Sequence, residues 1–107
     1  NQAVITDEYR TPWGTRIDTV VVKNGILWFY EIKTAPTIKE CLREAIGQLL
    51  EYAYWPGTPT PEKMIVVSEN KPDAEALSYL KMLREKFKLP IYHQHIDCQQ
   101  MALGTEH

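Results

Sequence analysis

The dipeptide Asn24-Gly25 is the feature of this sequence that most restricts its fold. Both residues tolerate a positive φ, and Asn-Gly is the strongest short signal for the two-residue turn of a β-hairpin. On both sides of it, over residues 16–22 and 26–33, β-branched and aromatic side chains are frequent, as they are in strands. The sequence therefore predicts two antiparallel strands joined by this turn.

A two-residue turn also determines which residues of the two strands lie opposite each other. Lys23 pairs with Ile26, and counting outward along both strands brings Asp18 opposite Glu31. Opposed residues share a face of the sheet, and Lys33, two positions beyond Glu31, lies on that face as well. The hairpin therefore predicts two carboxylates and a lysine close together.

Two helices are predicted from the spacing of apolar residues. The first covers residues 37–55, with Thr37 as its cap, Glu40 in capping-box position and Pro56-Gly57 as its stop. The second covers residues 72–88. Its predicted buried stripe consists of Leu77, Leu80, Leu83 and Phe87.

Further strands are predicted over residues 3–10, 63–68 and 91–96, and residues beyond Cys98 are expected to fray. Strands and helices therefore alternate after the hairpin. This order predicts an α/β fold with helices packed on a mixed sheet.

The composition indicates one small domain over residues 1–107, with 44% hydrophobic and 24% charged residues. The formal net charge of −2 excludes a broadly basic surface, so a nucleic-acid partner has to be held by bound metal or by a local cluster. There is no apolar run of the about 20 residues that span a membrane. Cys41 and Cys98 fit no metal or redox motif, so we expect reduced thiols in a cytoplasmic protein. The first residue is Asn1, and we expect a fragment of a longer chain.

The predicted carboxylate pair suggests a metal site. Opposed carboxylates repel each other, and a half-buried acid pair is costly unless a positive group compensates it. Mg²⁺ prefers oxygen ligands, and it activates bound water and neutralises charge on phosphate. Asp18 and Glu31 are therefore candidate ligands, with Lys33 beside them. The alternative is an exposed hairpin in which Arg16 and Lys33 form salt bridges with the two acids.

The first predicted helix contributes two more polar groups. Gln48 and Tyr52 are four residues apart and lie with Cys41 along one margin of its apolar stripe. There they are able to approach a site at the edge of the sheet. The alternative is an ordinary amphipathic border, where Gln and Tyr are common.

Asp18, Glu31-Ile32-Lys33 and Gln48-x-x-x-Tyr52 on the next helix together resemble the PD-(D/E)XK nuclease superfamily. The resemblance covers about residues 16–67, roughly half of the chain. It implies a restriction endonuclease-like three-layer sandwich, in which helices flank a mixed central sheet. The N-terminal helix usual in this family is absent from the sequence, which again suggests a fragment.

The resemblance also implies roles. Asp18, Glu31 and the backbone carbonyl of Ile32 would hold Mg²⁺ or Mn²⁺, and Lys33 would assist the attacking water. Gln48 and Tyr52, named above, would support the site or contact the nucleic-acid backbone. The implied activity is that of a magnesium-dependent endonuclease of phage defence or DNA repair, acting on DNA rather than RNA. Family members often form homodimers and carry further domains. The alternative is a catalytically silent nuclease-fold module that serves nucleic-acid binding or assembly.

Two other groups of residues suggest sites. Arg16, Lys39 and Arg43 are candidates for binding phosphate, the alternative being a solvated surface of mixed charge. His93 and His95 lie two residues apart on the last predicted strand and so share a face, and Asp97 follows at the same spacing. This spacing permits a metal site, although such residues more often lie on the outer face of a terminal strand.

Overall fold

The computed structural model describes residues 4–10, 16–97 and 102–107, and it describes the side chains of residues 20–97, 106 and 107. The elements in these ranges are β1 (Val4–Arg10), β2 (Arg16–Lys23), β3 (Ile26–Ile32), α1 (Ile38–Tyr54), β4 (Lys63–Ser68), α2 (Ala74–Phe87), β5 (Ile91–Asp97) and β6 (Ala102–Glu106). The predicted α/β class is confirmed. The expectation of a frayed tail is wrong for β6, which pairs with β5.

The six strands of the described ranges form one sheet, in the order β1-β2-β3-β4-β5-β6. The first three are antiparallel neighbours. From β3 to β5 the strands are parallel, and α1 and α2 make the two crossovers that parallel pairing requires. Since β6 returns antiparallel to β5, the predicted mixed sheet is confirmed.

The turn between β2 and β3 has the predicted conformation. Asn24 has φ 53° and Gly25 has φ 78°, both in the left-handed region that a two-residue hairpin turn needs. The paired residues run from Lys23 with Ile26 to Thr19 with Tyr30. The predicted register is therefore confirmed for these pairs.

Side chains cap both helices at their N-termini. Thr37 Oγ1 accepts a hydrogen bond from the Glu40 backbone N–H at 3.1 Å and lies 3.1 Å from Glu40 Oε1. Asp73 Oδ1 accepts from the Ala76 N–H at 2.8 Å. Each cap satisfies a backbone donor that has no carbonyl partner within its helix. The second helix is thus shorter at both ends than predicted, because Asp73 is its cap and Lys88, with φ 57°, ends it.

One hydrophobic core lies between the helices and a single face of the sheet. Its buried members are Val20, Phe29, Ile38, Leu42, Ala45, Ile46, Leu49, Tyr52, Ala53, Met64, Val66, Ala76, Leu80 and Ile91. Both helices contribute to this cluster, so the described residues form two layers. Among them no helix covers the other face of the sheet.

The predicted stripe of α2 is wrong at its two ends. Leu80 is fully buried, whereas Leu77 is 38% exposed and Phe87 55% exposed. Among the strands, α2 packs mainly against β5. A helix that lies over one strand buries a narrower stripe than a helix packed across several strands.

The face of the sheet without helices carries an aromatic and charged cluster. Lys63 Nζ lies 5.0 Å from the ring centre of Trp28, 4.7 Å from that of Tyr92, and 2.8 Å from Glu106 Oε2. Trp28 Nε1 also donates a hydrogen bond to Glu62 at 3.3 Å. Trp28 therefore has a packing role on this face.

Candidate active site

Glu31 is a buried acid on the core face of β3. Its side chain lies on the same face of β3 as that of Phe29, which belongs to the core. Glu31 itself is only 4% exposed. Its register partner on β4 is Val66, another core residue. A carboxylate in such apolar surroundings is costly unless a positive group accompanies it.

Lys33 provides that positive group. Its backbone N–H donates to the Val67 carbonyl at 2.9 Å, which continues the β3–β4 ladder one residue past the strand. Its Nζ lies 3.4 Å from Glu31 Oε2, and the two side chains are 17% and 5% exposed. The predicted neighbourhood of these two residues is confirmed. The alternative is correct in its salt bridge between Glu31 and Lys33, whereas its exposed surface is wrong for Glu31.

Asp18 lies on β2, but its side chain is outside the described residues, as is that of Arg16. The last described pair of the hairpin is Thr19 with Tyr30. One more step in the same register would bring Asp18 opposite Glu31, and this pair stays a prediction. Val20, two positions further along β2, belongs to the core. The prediction that Asp18 shares a face with Glu31 lies outside the described side chains.

The predicted helix pair divides between core and surface. Tyr52 is buried in the hydrophobic core, and Gln48 is exposed one turn earlier. Ile32, whose carbonyl the resemblance names as a ligand, ends β3 between Glu31 and Lys33, and its side chain is exposed.

The donor set suits magnesium or manganese in its chemistry. Glu31 and Asp18 offer carboxylate oxygens and Ile32 a carbonyl oxygen, which are the ligands that these hard cations prefer. The described side chains contain no group of three or more His, Cys, Asp and Glu able to hold a metal ion. The predicted set therefore depends on Asp18.

Residues 20–97 do not bring His93, His95 and Asp97 together as a metal-binding group. The expectation of an outer face on a terminal strand is wrong for His93, because β6 pairs with its strand and the side chain is buried. His93 instead points into the protein and is completely buried, with Nε2 2.7 Å from Ser68 Oγ. Burial, followed by smaller contributions from the charges of His107 and His95, lowers the pKa of His93 to about 4. His93 is therefore a neutral core residue at physiological pH.

A buried polar network joins this histidine to the start of α1. Ser68 Oγ lies 3.3 Å from the Asn70 carbonyl, to which it donates. Asn70 Nδ2 donates to the Ala35 carbonyl at 2.9 Å and to Cys41 Sγ at 3.4 Å. The network was not predicted, because a serine that ends an apolar strand gives no signal of its partners. Cys41 is a buried free thiol, as expected, while Cys98 lies outside the described residues.

Lys39 and Arg43 lie on a different side of α1 from Gln48. At 100° per residue, they are on the flank of α1 opposite to Gln48. There they line a cavity of about 460 Å³ between α1 and α2. The structure therefore separates these two predicted phosphate-binding residues from Gln48 and Tyr52.

No protein-family model, curated protein or solved structure matches this chain. Within the described residues, no helix is long and apolar enough to cross a membrane.

Proposed function

We propose that this chain is a metal-dependent nuclease domain that hydrolyses phosphodiester bonds, in DNA rather than RNA. The observation that supports the proposal best is the buried ion pair of Glu31 and Lys33 at the end of β3. Its two-residue spacing, its place at the end of the hairpin's second strand and the helix with Gln48 and Tyr52 are the features that resemble the PD-(D/E)XK superfamily. The proposal includes the restriction-like fold, of which the described residues supply the mixed sheet and one layer of helices, and a role in phage defence or DNA repair.

The proposal gives each residue a function. Asp18, Glu31 and the carbonyl of Ile32 would hold Mg²⁺ or Mn²⁺, which when bound lowers the pKa of water and neutralises phosphate charge. Lys33 has its ammonium beside the Glu31 carboxylate, which holds it in place to orient the attacking water and stabilise the negative phosphate.

The remaining residues support this centre. Tyr52 is on the buried side of α1, and its side chain packs in the core between helix and sheet. Gln48 is exposed one turn away, where an amide is able to hydrogen-bond to a nucleic-acid backbone.

The test combines metal binding with cleavage. Mn²⁺ binding is measured by calorimetry for the unmodified chain and for the variants Asp18→Asn and Glu31→Gln. Cleavage of single-stranded and duplex DNA and of RNA is followed in Mg²⁺ and in EDTA. We expect metal binding to be lost in both variants. In Lys33→Met, which keeps the carboxylates, we expect binding to persist while cleavage falls by about a hundredfold or more, the usual loss for one electrostatic group.

Lys81 and Glu85 offer a matched control, because they form a lysine–glutamate pair at 3.9 Å that is exposed on α2. Lys81→Met and Glu85→Gln should leave both measurements unchanged. Metal binding that survives in Asp18→Asn and Glu31→Gln would overturn the site. Metal binding without cleavage of any substrate would favour the silent nuclease-fold module instead.

A further inference from the structure

The cavity between α1 and α2 is chemically distinct from the proposed metal site. Its volume of about 460 Å³ falls within the range of small-molecule sites. The floor is apolar and consists of Ile38, Leu42, Ile46 and Ala76. Polar side chains form the two walls, one from each helix.

The wall formed by α1 carries two cations, Lys39 and Arg43. They are four residues apart, so they are neighbours on the helix surface and repel each other. Lys39 also lies in the first turn of α1, where the helix dipole disfavours positive charge. Among the described residues, neither has an ion pair or a side-chain hydrogen bond. The arrangement is locally unfavourable, which is typical of residues retained for binding.

The wall formed by α2 differs in charge. Glu75 and Tyr79 line it, with Asp73 engaged in capping the helix. A carboxylate accepts hydrogen bonds from hydroxyl or amino groups, and a tyrosine ring offers a flat apolar surface. A ligand that fits therefore has an anionic end, a flat ring and hydroxyl or amino donors.

We propose that this cavity binds a nucleoside phosphate. The phosphate contacts Lys39 and Arg43, where guanidinium geometry favours bidentate contacts. The base lies on the apolar floor against Tyr79. The ribose hydroxyls or the base amino group donate to Glu75, as sugar hydroxyls do to acidic residues in other nucleotide sites.

The proposal requires neither the metal nor cleavage, so it stands or fails separately from the nuclease proposal. The same chemistry is available from a free mononucleotide and from the phosphorylated end of a nucleic-acid strand. A mononucleotide ends at the cavity, whereas a strand continues outside it.

The experiment uses two-dimensional NMR of the whole chain in EDTA, so that no metal-dependent reaction occurs. The probes are 5′-adenosine monophosphate, adenosine, inorganic phosphate, and a short DNA strand with and without a 5′-phosphate. We expect saturable shifts at α1 and α2 with 5′-adenosine monophosphate, and weaker binding of adenosine and phosphate alone. Preference for the mononucleotide would identify a free nucleotide as ligand, and preference for the 5′-phosphorylated strand would identify a strand end.

The double variant Lys39→Gln/Arg43→Gln should weaken the binding of 5′-adenosine monophosphate by about tenfold or more, since each charged hydrogen bond contributes substantially. Tyr79→Ala should weaken the binding of adenosine and its monophosphate but not that of phosphate. Lys81→Gln/Lys86→Gln removes the same charge from exposed positions of α2 that do not line the cavity, and it should bind normally. Absence of saturable shifts, or equal weakening by both double variants, would overturn the proposal.

Discussion

The ammonium of Lys33 lies 3.4 Å from the carboxylate of Glu31 in a region that is largely closed to water. Attraction between opposite charges is stronger there than at a surface, but removal of either charge from water costs free energy. The two residues therefore depend on each other. Burial of either charge without its partner costs more free energy than burial of the pair.

Lys33→Met should lower the free energy of unfolding by about 2–3 kcal/mol, somewhat less than the loss of a fully buried partner, because Lys33 keeps partial exposure. Glu31→Gln/Lys33→Met should be destabilised by less than the sum of the two single variants. Urea unfolding of the four proteins measures this coupling. Additive losses would show that the two charges do not interact.

His93 makes stability dependent on pH. Its pKa is about 4 in the folded chain and 6.5 when the histidine is free of burial. Between these values the unfolded chain takes up a proton that the folded chain does not, so the free energy of unfolding falls as pH falls below 6.5. At about 1.4 kcal/mol per pKa unit, the loss reaches about 3 kcal/mol near pH 4. No loss from this group is expected above the unfolded pKa.

Urea unfolding at pH 7.5 and at lower pH tests this origin. His93→Gln removes the titration and should flatten the pH dependence below 6.5, even where its stability at neutral pH is lower. The comparison is His95→Gln on the same strand, which keeps His93 but removes one of the charges that lower its pKa. This variant should keep a pH dependence below 6.5, slightly smaller than that of the unmodified chain. An unchanged slope in His93→Gln would assign the pH dependence to other groups.

Two glycines allow the hairpin turn to be tested without steric interference. Gly25 has φ 78°, Gly47 lies within α1, and a Cβ added at either position meets nothing within 4 Å. Gly25→Ala should destabilise the chain by about 1–2 kcal/mol, the cost of left-handed backbone for a residue with a Cβ. Gly47→Ala should stabilise it by about 0.5–1 kcal/mol, because alanine is the better helix former. Thermal unfolding that moves in the same direction for both variants would contradict this assignment.

Local rules account for most of what the sequence predicted correctly. Asn24-Gly25 needs only its own φ values to form the turn, and the turn then determines the register of β2 and β3. Thr37 likewise caps α1 through contacts within four residues. These features depend on neighbours in sequence, so the sequence contains the information directly.

Long-range packing accounts for what was missed. The hydrogen bond between Ser68 and His93 joins two strands that are 25 residues apart in sequence. The flank of α1 that carries Lys39 and Arg43 forms a cavity wall only because α2 lies on the other side of the cavity. Helical periodicity identifies such a flank, but it does not show which element lies next to it.

The wrongly predicted stripe of α2 gives a direct test of that limit. The periodic pattern treats Leu77 and Leu80 as equivalent, whereas the structure buries Leu80 completely and leaves Leu77 38% exposed. Leu80→Ala should therefore lower the free energy of unfolding by about 2–5 kcal/mol, through lost burial and the cavity left behind. Leu77→Ala should cost less than about 1 kcal/mol, since an exposed leucine loses little burial and alanine favours the helix. Urea unfolding of the two variants measures this difference. Equal losses in the free energy of unfolding would support the buried stripe that periodicity predicts.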